Sequence, residues 1–114
     1  MNMPLGTEWG PLVAHLVGDF VVQNDWMAAN KKRSSLACLV HVLTYMLPFL
    51  LCGLAWWQLA LIAVQHFLQD RTAFVFWWMR VWKRVPSEYW AAMALFVDQA
   101  FHVAWITAVV VAGK

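Results

Sequence analysis

Four long apolar stretches alternate with short polar breaks along the chain, at about 11–29, 36–56, 57–79 and 89–112. Each comes close to the ~20 residues a helix needs to cross a hydrocarbon core of about 30 Å. The breaks carry helix punctuation. Pro11 suits a first-turn position, where its missing N–H costs nothing. Pro48 predicts a kink in the second stretch. Pro86-Ser87-Glu88 reads as a turn, with Ser87 as the N-cap of the fourth stretch. The first stretch is the most polar, holding His15, Asp19, Gln23, Asn24 and Asp25. It reads as a full span, with a re-entrant or interfacial helix as the alternative. The expected fold is all-α: one domain, residues 1–114, forming a four-transmembrane-helix bundle with a polar interior.

Composition sharpens this picture. The chain has 114 residues, 63% hydrophobic and 12% charged, with nine tryptophans and a mean hydropathy of +0.60. Soluble domains carry roughly 25% charged residues, so an integral membrane protein is expected, with the lipid bilayer as its first partner. A net charge of +2, without a basic face interleaved with aromatics, excludes nucleic acid as an expected partner. No basic residue precedes the first stretch, which itself contains His15 and Asp19, so it does not read as a secretory signal. Cys38 and Cys52 lie roughly 21 Å apart along one helix and cannot pair within it.

The basic residues fix an expected orientation. Lys31, Lys32 and Arg33 fill the first loop, and Arg80, Lys83 and Arg84 the third, while the second connection is uncharged. By the positive-inside rule, loops 30–35 and 80–88 are cytoplasmic and both termini lie outside. Trp56, Trp57, Trp77, Trp78, Trp82 and Trp90 fall near the ends of spans, as an aromatic belt does. Asn24 and Asp25 read as interfacial. Arg71 is open to three readings: snorkelling, pairing with an aspartate, or binding an anionic headgroup.

The chemistry sits inside the stretches. His15/Asp19, His66/Asp70 and Asp98/His102 are each spaced four apart, with a lone His41 in the second stretch. Four residues is about one helical turn, so each pair shares a helix face. The order reverses in the third pair, which brings like residues level across antiparallel helices. Counted from the cytoplasmic loops, Asp70 and Asp98 fall at roughly 15 Å and Asp19 at roughly 18 Å. His66 and His102 fall at roughly 21 Å, His15 at roughly 24 Å and His41 at roughly 12 Å. A histidine layer about a turn above an aspartate layer is the expectation.

As mere helix glue, this arrangement is costly. Three intramembrane aspartates cost on the order of 8–10 kcal/mol on insertion scales, whereas an interhelical hydrogen bond in a membrane returns about 0.6 kcal/mol. Imidazole with carboxylate suits zinc first, with manganese or iron as alternatives. His15, His41, His66, His102, Asp19, Asp70 and Asp98 are the candidate ligands, enough for one or two divalent metals. The Glu-x-x-His spacing of soluble di-metal bundles is absent, so the likeness to them is one of principle. Asp19, Asp70, Asp98 and His41 are the candidate catalytic groups, as bridging ligands, general base or acid. The leading expectation is a metal-dependent intramembrane hydrolase acting on a lipid or membrane-embedded substrate. Two alternatives stay open: a proton or cation conductor using the same residues, and a structural or interaction protein. A chain this short could complete its bundle as a homo-oligomer.

The string from His15-Leu-Val-Gly-Asp19 through Gln23 and Trp26 to Lys31 resembles the opening signature of a small bacterial and phage membrane-protein family, the domain-of-unknown-function family DUF3307. His41, the His66-Phe-Leu-Gln-Asp70 element and the Asp98-Gln-Ala-Phe-His102 element follow in the family's order. The chain departs at Arg71-Thr72, where the resemblance implies an aromatic or aliphatic residue and a nearby lysine. The resemblance implies a multi-pass protein of the bacterial inner membrane and supports the site residues. It implies no activity.

Overall fold

The computed structural model describes residues 9–114, and these are all-α, with no strand among them. The tail 1–8, expected outside, lies beyond the described residues. Helix α1 (Gly10–Leu16) opens with Pro11 in its first turn and continues as a π-helical segment, Val17–Val22. The chain then extends at Gln23, and Asn24 caps α2 (Asp25–Asn30) by accepting from the Met27 N–H. Ser34 caps α3 (Ser35–Met46) in the same way. At Pro48 the α-helix gives way to a 3₁₀ turn, Pro48–Leu51, because proline cannot supply the N–H of the next helical bond. Helix α4 (Trp56–Arg71) ends at an extended Thr72. Helix α5 (Phe74–Trp78) runs into a second π segment, Met79–Lys83, which closes on Arg84 in the left-handed region. Helix α6 (Trp90–Ala112) is the longest.

The expected stretches are therefore not four uninterrupted helices. The first is broken at Gln23–Asn24, the second at Pro48 and again before Trp56, and the third at Thr72–Ala73. Among the described residues, one helical run, Ser87–Ala112, is long and apolar enough to cross a membrane; Gly10–Val22 and Ser35–Leu51 are shorter apolar runs. Ser87 does not cap the fourth helix. It opens a 3₁₀ turn, Ser87–Tyr89, with no side-chain cap at either boundary.

Helix α3 packs on α4, α4 on α6, and α1 on α6, with the first π segment against α3. Gly18 makes that last approach close: a Cβ there would lie 2.8 Å from the Tyr45 carbonyl oxygen and 2.5 Å from its ring. Two apolar clusters result. One joins Ala14, Tyr45, Phe49, Ile62, Ile106 and Val109; the other joins Val75, Met79 and Val97, where the bent end of the third stretch folds onto α6.

Between the clusters the usual polarity is inverted. His15, His41, His66, His102 and Asp70 are wholly buried, and Asp19, Gln58 and Gln69 nearly so. Leu43, Leu47, Leu50, Val21, Leu61, Val64, Phe96 and Val111 are exposed, and Leu51 is 90% exposed. Soluble domains arrange these residue types the other way round. Cys38 and Cys52 are both free.

Candidate metal centre

Each element delivers its polar residues to one place. The π-helical segment carries Asp19, α3 carries His41 and Tyr45, α4 carries His66 and Asp70, and α6 carries Asp98, Gln99 and His102. π-turns widen a helix locally and concentrate at functional sites; here one turns Asp19 towards α3 and α4.

Asp70 is the hub. Its Oδ2 lies 3.0 Å from His41 Nε2, 3.1 Å from His66 Nε2 and 3.0 Å from the Lys31 ammonium, and its Oδ1 lies 3.0 Å from His102 Nε2. Asp19 Oδ1 approaches the same two nitrogens, at 3.3 Å from His41 Nε2 and 3.4 Å from His66 Nε2. The nitrogens themselves are 2.9 Å apart, so both cannot carry protons. Asp19 Oδ1 makes no hydrogen bond although buried. A buried carboxylate oxygen aimed at imidazole nitrogens and otherwise unpartnered is free to ligate a cation.

Asp19, His41, His66 and Asp70 thus form a buried group with one ligand atom each at mutual distances that suit a shared ion; Asp19, Asp98 and His102 form a second. The edges measured in the first group, 2.9–3.4 Å, match the edge of ~3.3 Å expected of four N/O ligands around an ion at ~2.0–2.1 Å. The donor set fits a borderline divalent ion. Charge fits as well. The three carboxylates, with the Lys31 ammonium on Asp70, leave two net negative charges, which one divalent cation neutralises.

A relay of amides fixes the His102 ring. Gln69 Nε2 donates to the carbonyl and to Oδ1 of Asp98, both at 2.9 Å, so its oxygen faces Gln65 and accepts from Gln65 Nε2 at 2.6 Å. Gln65 must then present its own oxygen to His102 Nδ1, 3.3 Å away. His102 therefore carries its proton on Nδ1. Its Nε2 faces Asp70 Oδ1 at 3.0 Å and, at 3.6 Å, Asp98 Oδ1. Such a nitrogen shares with the two carboxylates either a proton or, in its place, a metal ion, and ligands oriented by outer partners of this kind are typical of metal sites.

The same logic sets His15 apart. Gln99 Nε2 donates to Asp19 Oδ2 at 3.1 Å and to Asp98 Oδ2 at 3.3 Å, so its oxygen accepts from His15 Nε2 at 2.6 Å. His15 Nδ1 then accepts from the Tyr45 hydroxyl at 2.7 Å. Both ring nitrogens are used, and His15 belongs to neither ligand group. It sits 3.9 Å from Asp19 and positions Gln99. The rings pack as one unit: Tyr45 stacks on His66 at 3.7 Å between centroids, and His66 on His102 at 4.1 Å.

The chain matches the DUF3307 family model over residues 11–113, the span that holds every residue of this cluster. It belongs to that family. The DUF3307 family is described as proteins of unknown function. No curated protein and no solved structure matches the chain.

All seven candidates from the sequence meet in one cluster, but not in two clean layers. An imidazole reaches about as far as a helical turn rises, so histidines and aspartates interleave around Asp70. Five contributors lie outside the candidate ligands and catalytic groups: Lys31, Tyr45, Gln65, Gln69 and Gln99. Lys31 reaches in from the loop before α3 because Asp70 lies next to the last residue of α4, closer to that loop than a continuous helix would put it. Burial works against the Lys31 charge, yet the carboxylates of Asp70 and Asp19 hold its pKa above the ordinary value. Arg71 pairs with no aspartate: it donates to the Lys32 carbonyl and to Ser35 Oγ. Asn24 and Asp25 are exposed, away from the cluster.

Proposed function

We propose that this chain is a multi-pass membrane protein whose buried His/Asp cluster binds one or two divalent metals, zinc foremost, and works as a hydrolase on a lipid or membrane-embedded substrate. The observation that carries the reading is the set of edges of 2.9–3.4 Å joining Asp19, His41, His66 and Asp70. The inside-out distribution of side chains supports the membrane setting, since apolar faces turned outward around ionisable groups suit lipid and not water. Broken helices are compatible with crossing a bilayer where the freed backbone groups find partners, as Asn24, Ser34 and Gln58 provide here. Loops 30–35 and 80–88 would face the cytoplasm of a bacterial inner membrane.

A bound divalent ion would polarise the bond to be cut and bring the pKa of a water down towards ~7. The chain supplies the rest. Asp98 is partly exposed and held by Gln69 and Gln99, which suits it to take a proton as general base. The Lys31 ammonium is placed to balance negative charge developing beside Asp70. Conduction is a weaker reading of the same residues. Beyond His15 and Tyr45 the described residues gather in the apolar cluster of Phe49, Ile62, Ile106 and Val109, which favours a compact site over a path.

Elemental analysis of protein purified in mild detergent without chelator tests the proposal. Metal at one or more ions per chain is expected, lost in His66→Ala and Asp70→Asn. No metal in the wild type would end it. Hydrolysis of a phospholipid panel, abolished by chelator and restored by zinc, is the expected activity.

A further inference from the structure

A furrow of about 700 Å³ lies between α4 and α6, a volume typical of sites that take one small molecule, roughly 300–1,000 Å³. Its walls are Leu61, Val64 and Leu68 on one side and Phe101, Ala104 and Trp105 on the other. Its polar floor is the Gln65–Gln69 pair, the same amides that orient His102 and bind Asp98. At the deep end Trp105 Nε1 donates to the Leu61 carbonyl at 3.1 Å and ties the helices together. At the other end Thr72 forms the mouth.

We infer that this furrow holds one acyl chain of an anionic phospholipid, with its headgroup at Lys32 and its ester region against Gln65 and Gln69. This names the substrate class of the hydrolase proposed above and rests on that reading. Two observations select the occupant. From Leu61 to Thr72 the furrow runs ~16 Å along α4, about half of a ~30 Å hydrocarbon core. That is the depth of one leaflet, right for an acyl chain and too short for a partner's crossing helix. A cation also borders the mouth. Lys32 Nζ donates to the Asp70 carbonyl at 3.1 Å and the Thr72 carbonyl at 3.2 Å, which uses two of its three donors. The third is left for a phosphate oxygen, while Arg71 is taken up by the Lys32 carbonyl and Ser35 Oγ. On the floor, Gln65 spends one N–H on Gln69 and keeps another for an ester carbonyl.

Native mass spectrometry on the full chain, mixed with equal amounts of dioleoyl phosphatidylglycerol and dioleoyl phosphatidylcholine, tests the assignment. One lipid per chain is expected, with phosphatidylglycerol favoured about fivefold, the weight of one basic residue near an anionic headgroup. Ala104→Trp and Leu68→Trp fill the furrow, and each should cut retention about tenfold with metal content unchanged. Leu43→Trp, on the exposed face of α3, should change nothing. Lys32→Gln should level the two lipids. The proposal is overturned by no retained lipid, by equal retention of both lipids in the wild type, or by retention that survives furrow filling. Metal content in the same samples reports folding, and Leu68→Trp, at a side chain already half exposed, carries the test if Ala104→Trp does not fold. Metal bound without lipid defeats this inference alone; absence of metal defeats the hydrolase reading.

Discussion

Gly18→Ala is a one-methyl test of the whole arrangement. The added Cβ would sit 2.8 Å from the Tyr45 carbonyl oxygen, 2.5 Å from its ring and 3.2 Å from its Cα. The ring could turn aside; the carbonyl and Cα are backbone and cannot. Restoring ordinary contact at 3.4 Å requires the π-helical segment and α3 to part by about 0.6 Å. Overpacking of this kind costs about 1–3 kcal/mol. The shift also acts on function, because Asp19 is the next residue and its 3.3 and 3.4 Å approaches to His41 and His66 lie across that seam. Those edges would open towards 4 Å, and metal affinity should fall by about tenfold, the lower end for disturbing a ligand's support. Reversible unfolding in mixed micelles and competition with a metal-binding dye read the two effects separately. A Gly18→Ala protein as stable as wild type, holding metal as tightly, would refute the packing of the first π-helical segment on α3 and with it the ligand geometry.

Three further outcomes follow from the same contacts. Lys31→Met leaves Asp70 short of a buried cation, so the metal-free protein should lose about 3 kcal/mol or more and the metal-loaded protein clearly less; equal losses with and without chelator would contradict the charge balance drawn for the site. Tyr45→Phe removes the hydroxyl bound to His15 but keeps the stack on His66, so metal content should persist while affinity weakens about tenfold in the dye assay. Gln58→Leu strips a buried amide that accepts from the Ala55 N–H and donates to the Val109 carbonyl; about 1–3 kcal/mol of stability should go, with no change in metal stoichiometry by elemental analysis.

The His–Asp pairs made the site legible because a period of four is robust: any helical reading of those stretches puts each pair on one face. The composition made the inverted polarity legible too. The backbone breaks were less visible. Asn24 and Thr72 sit inside stretches long enough to read as continuous helices, and the effect of each depends on partners elsewhere, as when Lys32 takes up the carbonyl left by the end of α4. The depth estimates inherited that blind spot, since they assumed an unbroken helix from Asp70 to Arg80. Lys31 read as a topology signal because a loop lysine has that role by default; its contact with Asp70 exists only once α4 is known to stop at Arg71. His15 shows the opposite limit. Its spacing matched the other histidines, and only the amide orientation of Gln99 reveals that both its nitrogens are taken.

Lys32 closes the end of α4 from a different part of the chain. A helix terminus normally draws its cap from neighbouring sequence; this one borrows an ammonium from about forty residues upstream. Whatever pulls on that ammonium therefore pulls on the carbonyl of Asp70 itself, the backbone atom of the cluster's central carboxylate. On the membrane reading proposed above, traffic at the lipid surface and the set of the buried His/Asp cluster are in this way mechanically joined, and a headgroup arriving at the loop would be felt in the core before any part of it entered.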